Sequence, residues 1–272
     1  MVKQFKYGIV FDGSGLEGIS PGWEFLEMPL GYMYSPMESN YIWEKKKSKL
    51  LSKDLPVIAS SHFLQDFGLV ATGPGVDREQ LEFYTKRAFK RLSQVGVKAA
   101  GCYGGHFPVP ADFSKTKAMD QAIWFINMMA DEAEKYNIPI ALEPMANLDT
   151  LFPRYLEGIE LARESGREIV RVMADLNYFI ALDQPLEHIA RYPEYCMHCH
   201  IQGDGGAQPN VGNREEIFIK LFSIFRDMGY DRGVSAACPW ISTKGGDEID
   251  YKYETAETLR YLQELRDRVY GS

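Results

Sequence analysis

Apolar positions along this chain fall into two alternating rhythms. Short runs such as KYGIV at 6–10, PVIASSH at 56–62, IPIALEP at 138–144 and EIVRVMAD at 168–175 are strand-sized. WEFLEM at 23–28 also alternates like a strand, with Phe25 and Glu27 on one face. Between these runs lie longer stretches with a period near 3.6 residues. Leu81, Tyr84, Ala88, Phe89 and Leu92 predict a helix over 77–94, and Ile123, Ile126, Met129 and Ala133 predict another over 115–136. Gly96 supplies a helix stop before the strand VKAAGCYG at 97–104. The alternation continues through helices at 150–165 and 184–191, the strand YCMHCHIQ at 195–202, a helix at 214–229, the strand GVSAA at 233–237 and a last helix at 252–268.

Eight strands in β/α order predict an α/β fold with a parallel sheet covered by helices, and eight close most simply into a (β/α)₈ TIM barrel. An open doubly wound sheet is the competing topology. The length of 272 residues fits a single domain spanning 1–272.

Composition narrows the function classes. The formal charge of −8 and the absence of a basic block beyond Lys45, Lys46 and Lys47 argue against a nucleic-acid partner. No hydrophobic stretch follows Met1 and the longest apolar runs are strand-sized, so neither a signal peptide nor a membrane span is expected. Four cysteines, expected to be reduced, fit a cytoplasmic protein.

Chemistry in a barrel sits where strands end and helices begin. The ends of the apolar runs carry Glu27, His62, His106, Glu143, Asp175 and His200, six residues of types that bind metals or move protons. Glu143 is followed by Pro144, which holds a strand-end carboxylate in a defined place; Asp175 has a plainer role open to it as a helix N-cap. His198, His200 and Gln202 share one parity of their strand, and His198, two residues deeper, is either a core histidine or a residue of the pocket. Two carboxylates and an imidazole suit a divalent ion, Mn²⁺ first among Mn²⁺, Co²⁺, Mg²⁺ and Zn²⁺. Without an ion, so many acids and imidazoles facing one pocket would be costly.

The segments WEFLEM at 23–28, ALEPMANLDT at 141–150, VMADLNYF at 172–179, HCHIQGDGG at 198–206 and GYDRGVSAA at 229–237 resemble, in order and spacing, the sugar phosphate isomerase/epimerase family of the xylose isomerase-like TIM barrel superfamily. That resemblance implies a metal held by Glu143, Asp175 and His200, with Glu143 also moving a proton. It implies substrate contact at Glu27 and substrate-facing or metal-binding positions for His62 and His106; an imidazole near its reference pKa lets His62 and His106 also offer acid/base chemistry, and the strand pattern adds His198 to the expected substrate-side residues. The implied ligand is a small sugar or polyol, and the implied reaction is isomerisation or epimerisation of a keto sugar by proton abstraction beside a metal-bound carbonyl. Homo-oligomers are common among such barrels.

Two positions depart from the family pattern. The glutamate that ends the eighth strand, a fourth ligand and second acid/base in the epimerases, is Ala237, and the histidine three residues beyond the metal aspartate is Tyr178. Cys238, Asp204 or a water molecule stand nearest as substitutes. The loss keeps open a metal-dependent lyase or dehydratase acting on a sugar-like, inositol-like or C-glycoside substrate, and a non-enzymatic binding or partner-dependent subunit. A nuclease of the same superfamily is disfavoured by the acidic charge and by Tyr178 and Ala237 at two expected ligand positions.

Three other signals carry less. CMHCH at 196–200 matches a haem-attachment pattern, but it falls in a core strand where Cys196 and Cys199 are expected to point to opposite faces. The aromatic stretch from Trp23 to Trp43 reads as core, loop packing or a subunit contact, with a sugar-stacking wall as an alternative. GDGGAQPNVGN at 203–213 reads as a flexible loop whose amides face substrate oxygens or an anion.

Overall fold

A computed structural model describes residues 3–11, 18–65 and 68–271. Eight parallel strands, β1 (Lys6–Val10), β2 (Phe25–Pro29), β3 (Val57–Ser61), β4 (Ala99–Tyr103), β5 (Ile140–Glu143), β6 (Val170–Asp175), β7 (Cys196–Ile201) and β8 (Gly233–Ala236), pair in sequence order. The sheet closes through β1 and β8, with Lys6 opposite Gly233 and Ile9 opposite Ala236. The sequence GSGLEG at 13–18, which lies largely outside the described residues, is a G-x-G-x-x-G match that would favour an open dinucleotide-binding sheet; barrel closure rules that topology out.

Inside the barrel, large side chains are accommodated by glycines across from them. A Cβ on Gly8 would lie 2.0 Å from the Phe25 ring, and one on Gly233 would lie 2.8 Å from both Phe25 and His198. Gly101 gives the same room to Met173. This is the filled interior expected of an eight-stranded barrel.

The outer helices follow the apolar stripes. Helix α3 (Arg78–Val95) buries Leu81, Tyr84, Ala88, Phe89 and Leu92; the Asp77 carboxylate accepts the Gln80 amide at its start, and Gly96 closes it at φ 86°. Helix α4 (Lys115–Tyr136) starts on Ser114 and stops at Asn137. Helices α8 (Glu215–Asp227) and α9 (Tyr251–Tyr270) complete the wall beside β8.

Several boundaries differ from the pattern. Helix α2 (Asn40–Leu51) lies where the sequence suggests loop, because only Trp43 and Leu50 are buried in it and its apolar stripe is weak. It follows a short helix α1 (Leu30–Tyr34). Helix α5 covers only Tyr155–Glu164, since Pro153 restricts the residue before it and the preceding segment is irregular. The stretch expected to be helical at 184–191 is helical only at His188–Arg191 (α7), and an unexpected turn of helix, α6 (Leu176–Ala181), follows β6 directly. In the aromatic stretch, Trp23, Phe25, Tyr34 and Trp43 are core, whereas Tyr32 and Tyr41 are exposed beneath the ammonium groups of Lys46 and Lys45. Among the described residues no helix is long and apolar enough to cross a membrane.

Candidate metal centre

Strands β2, β5, β6 and β7 deliver five of the singled-out residues, Glu27, Glu143, Asp175, His198 and His200, to one buried cluster. Glu143 is the last residue of β5 and Asp175 the last of β6, while His200 is the penultimate residue of β7. His200 Nδ1 lies 3.1 Å from Glu143 Oε1 and 3.5 Å from Asp175 Oδ2. The other ring nitrogen, Nε2, lies 2.9 Å from Glu27 Oε1. The remaining Glu27 oxygen, Oε2, is 2.7 Å from His198 Nε2, which is also 3.0 Å from Ser235 Oγ.

Asp175 does cap a helix, and it also serves the cluster. Its Oδ1 accepts the backbone amides of Asn177 and Tyr178 at the start of α6, and its Oδ2 accepts Gln202 Nε2 at 2.8 Å. Glu143 is different. Its Oε2 is buried and has no hydrogen-bond partner, an expensive arrangement for a carboxylate oxygen unless a cation completes it.

Donor atoms of Glu143, Asp175 and His200 lie within 4.8 Å of one another, as do those of Glu27, His198 and His200. Oxygen, oxygen and imidazole nitrogen from three adjacent strands fit a divalent ion of the Mn²⁺ or Zn²⁺ type. The electrostatics of the protein alone reflect the same crowding. Burial works to raise the Glu27 carboxyl, but the facing His200 and His198 hold it well below the usual range. For His200 burial works downward, and Glu27 and Glu143, with the hydrogen bonds of Asp175 and Glu143, hold it well above an ordinary imidazole.

His62 and His106 occupy a second group. His62 follows β3 in the left-handed region, at φ 54°. His106 is not at a strand end as its apolar run suggests: β4 stops at Tyr103, and His106 ends the 3-10 turn Gly104–His106. The Tyr103 ring lies between them, 5.3 Å from His62 and 5.7 Å from His106, edge to face. His62 Nδ1 and His106 Nε2 are both buried without a partner. Burial, then the neighbouring His62, lowers His106 to about 4 against the hydrogen bond to the Leu69 backbone, so its ring is neutral at pH 7.

Tyr103 connects the two groups. It hydrogen-bonds Tyr178, and burial raises both phenols, with the charges of Glu143 and Asp175 adding to the rise. Tyr103, Gln202 and Ser235 were not among the residues expected at the site. Gln202 had a signal in its shared parity with His198 and His200; Ser235 had none.

The substitutes considered for Ala237 fare poorly. Asp204 accepts Asn213 N and Arg214 Nε, which pins the 203–213 loop on its own side chains. Burial pushes the Cys238 thiol up to about 12. Cys196 and Cys199 are buried free thiols, and β7 slips register between Cys196 and His198, so both lie near Tyr155 and Tyr230 instead of on opposite faces.

The family described as xylose isomerase-like TIM barrel matches residues 19–265. The chain belongs to that family. Solved structures with the same fold include D-psicose 3-epimerase from Clostridium cellulolyticum H10, at 16% identity and TM-score 0.79, covering 96% of this chain and 99% of that one. Another is 3-keto-D-glucoside 4-epimerase from E. coli, at 15% identity and TM-score 0.76, covering 96% and 100%. A third is the IOLI protein with a bound zinc atom, at 13% identity and TM-score 0.67, covering 97% and 98%. At such identities the likeness is one of fold. No curated protein matches the sequence. The group formed by Glu143, Asp175 and His200 is the part of the chain on which a functional reading rests.

Proposed function

We propose that the protein is a divalent-metal-dependent isomerase or epimerase of a keto sugar or related polyol. The observation that carries this reading is the unpartnered, buried Oε2 of Glu143 beside Asp175 and His200. Glu143, Asp175 and His200 would hold the ion, Mn²⁺ in the first instance with Co²⁺, Mg²⁺ and Zn²⁺ as alternatives. The ion's contribution is Lewis-acid polarisation of a carbonyl oxygen, which acidifies the neighbouring carbon.

The protein's own groups would handle the proton. Glu143 takes it from the carbon beside the carbonyl through a carboxylate oxygen. Return to the opposite face falls to His62 or His106, whose free ring nitrogens are turned to no other protein group. His106, neutral at pH 7, must first take a proton from water before it can return one to the substrate, and once protonated it is a strong acid. The bonded phenols of Tyr103 and Tyr178 bridge the two groups and orient substrate hydroxyls. His198 and Glu27 are at most 3% exposed, so they would act on the substrate from beneath the site if at all.

Ala237 supports a second reading. Without a carboxylate on that side, a proton removed by Glu143 can be followed by loss of a β-oxygen or an aglycone carbon, which makes the enzyme a lyase or dehydratase of sugar-like, inositol-like or C-glycoside substrates. The two readings divide on one experiment. Keto sugars and sugar conjugates are incubated with the Mn²⁺-loaded protein in D₂O and followed by NMR. Deuterium entering the carbon beside the carbonyl, with an epimer or isomer appearing, supports the first; an unsaturated product or free aglycone supports the second. No exchange and no product with any of the four ions removes both in favour of a binding role.

A further inference from the structure

Glu27 has no part in the metal set named above, yet both of its carboxylate oxygens are engaged. It is fully buried, and each of its oxygens meets a different imidazole, Oε2 that of His198 at 2.7 Å and Oε1 that of His200 at 2.9 Å. We infer that Glu27 is a positioning residue that fixes the orientation and tautomer of His200, so that Nδ1 and not Nε2 is presented to a cation between Glu143 and Asp175. The inference rests on the metal reading and adds to it the residue that sets the affinity of the site.

The chemistry follows from which atoms carry hydrogens. An ionised carboxylate can only accept, so the hydrogen between Glu27 and His200 belongs to Nε2. By the same rule Nδ1, 3.1 Å from Glu143 Oε1 and 3.5 Å from Asp175 Oδ2, carries a hydrogen in the metal-free ring; a cation held by those carboxylates would displace that proton and take the Nδ1 lone pair, while Glu27 keeps the hydrogen on Nε2. A carboxylate behind a ligating histidine both fixes the ring and strengthens it as a donor.

Glu27 can do this only if it is itself held still, and the structure shows how. His198 Nε2 contacts both Glu27 and Ser235 Oγ. The His198 ring has Phe25 at its side, with centroids 6.0 Å apart, and Gly233 against its Cε1 and Nδ1 edge, where a Cβ would come within 2.9 Å. Strands β2, β7 and β8 therefore lock one imidazole, which locks the carboxylate, which aims the second imidazole. The two histidine rings stand at 86° to one another, the geometry of two donors meeting one carboxylate from different directions.

Glu27→Gln tests the inference, because an amide keeps the shape but has one accepting oxygen and one donating nitrogen. It cannot accept from both imidazoles, so one ring must turn or change tautomer. Zn²⁺ affinity is measured by competition with a chromophoric chelator, with secondary structure and thermal melting of the metal-free proteins recorded alongside. The expected result is about a ten- to hundredfold loss of Zn²⁺ affinity in a variant that still folds. Parent-like affinity in folded Glu27→Gln overturns the inference and leaves the metal reading standing; a parent that binds no Zn²⁺ overturns both. Nitrogen-15 NMR of the histidine rings in the parent decides the matter even if the variant fails to fold. The Zn²⁺-induced shift must appear on His200 Nδ1 with Nε2 still protonated, and a shift on Nε2 contradicts the inference.

Discussion

Ser235 on β8 meets His198 on β7, Oγ to Nε2 at 3.0 Å, and so marks the face of β8 that looks into the barrel. Ala237 shares the parity of Ser235, and its amide still bonds the Ile201 carbonyl of β7, so the position continues the inward face toward the mouth. Ala237→Glu should therefore add a carboxylate to the site. The expected outcome is a gain of roughly tenfold in Mn²⁺ or Zn²⁺ affinity, in keeping with the addition of one charged ligand. Calorimetric titration checks it, and an unchanged affinity would show that position 237 does not reach the cluster.

His106 should leave a signature in acid. Its unfolded value is near 6.5, and burial with the neighbouring His62 lowers it to about 4 in the folded chain. The unfolded chain therefore binds more protons in that interval, so the contribution of the neutral ring to stability is complete above pH 6.5 and is lost as pH falls toward 4. His106→Gln should flatten this part of the stability profile relative to the parent. Urea unfolding at half-unit steps of pH measures it; parallel slopes for the two proteins would contradict the assignment.

Gly8 is where the barrel interior tolerates no side chain. A Cβ there would lie 2.0 Å from Cε2 of Phe25, a ring already fixed between Gly8 and Gly233. Gly8→Ala should destabilise the fold by about 1–3 kcal/mol through overpacking. Pairing it with Phe25→Leu should recover part of that loss, and denaturant midpoints of the two variants check the coupling.

Much of this arrangement was legible along the chain, for identifiable reasons. Glu143 and Asp175 are each the first ionisable residue after a buried apolar run, and the structure ends β5 and β6 on those residues. His200 and Gln202 were marked by the period-two pattern of β7. What the chain hides is pairing across the barrel. Nothing local indicates that Glu27 on β2 meets two histidines on β7, because β2 and β7 are not neighbours in the sheet and the contact depends on closure. Tyr103 reads as an apolar position and Tyr178 only as a replacement for the family's histidine, and their phenol oxygens give both a place beside the site. His106 was displaced from the strand end because Gly104 and Gly105 let the chain turn before it.

The most direct test is the bound-metal content of protein purified without chelator, measured beside a folded Glu143→Gln, Asp175→Asn double variant. The account predicts about one divalent ion per parent chain and little in the variant, which lacks the two anionic ligands. Equal metal content in both, or none in either after Mn²⁺, Co²⁺ and Zn²⁺ have been supplied, would contradict it.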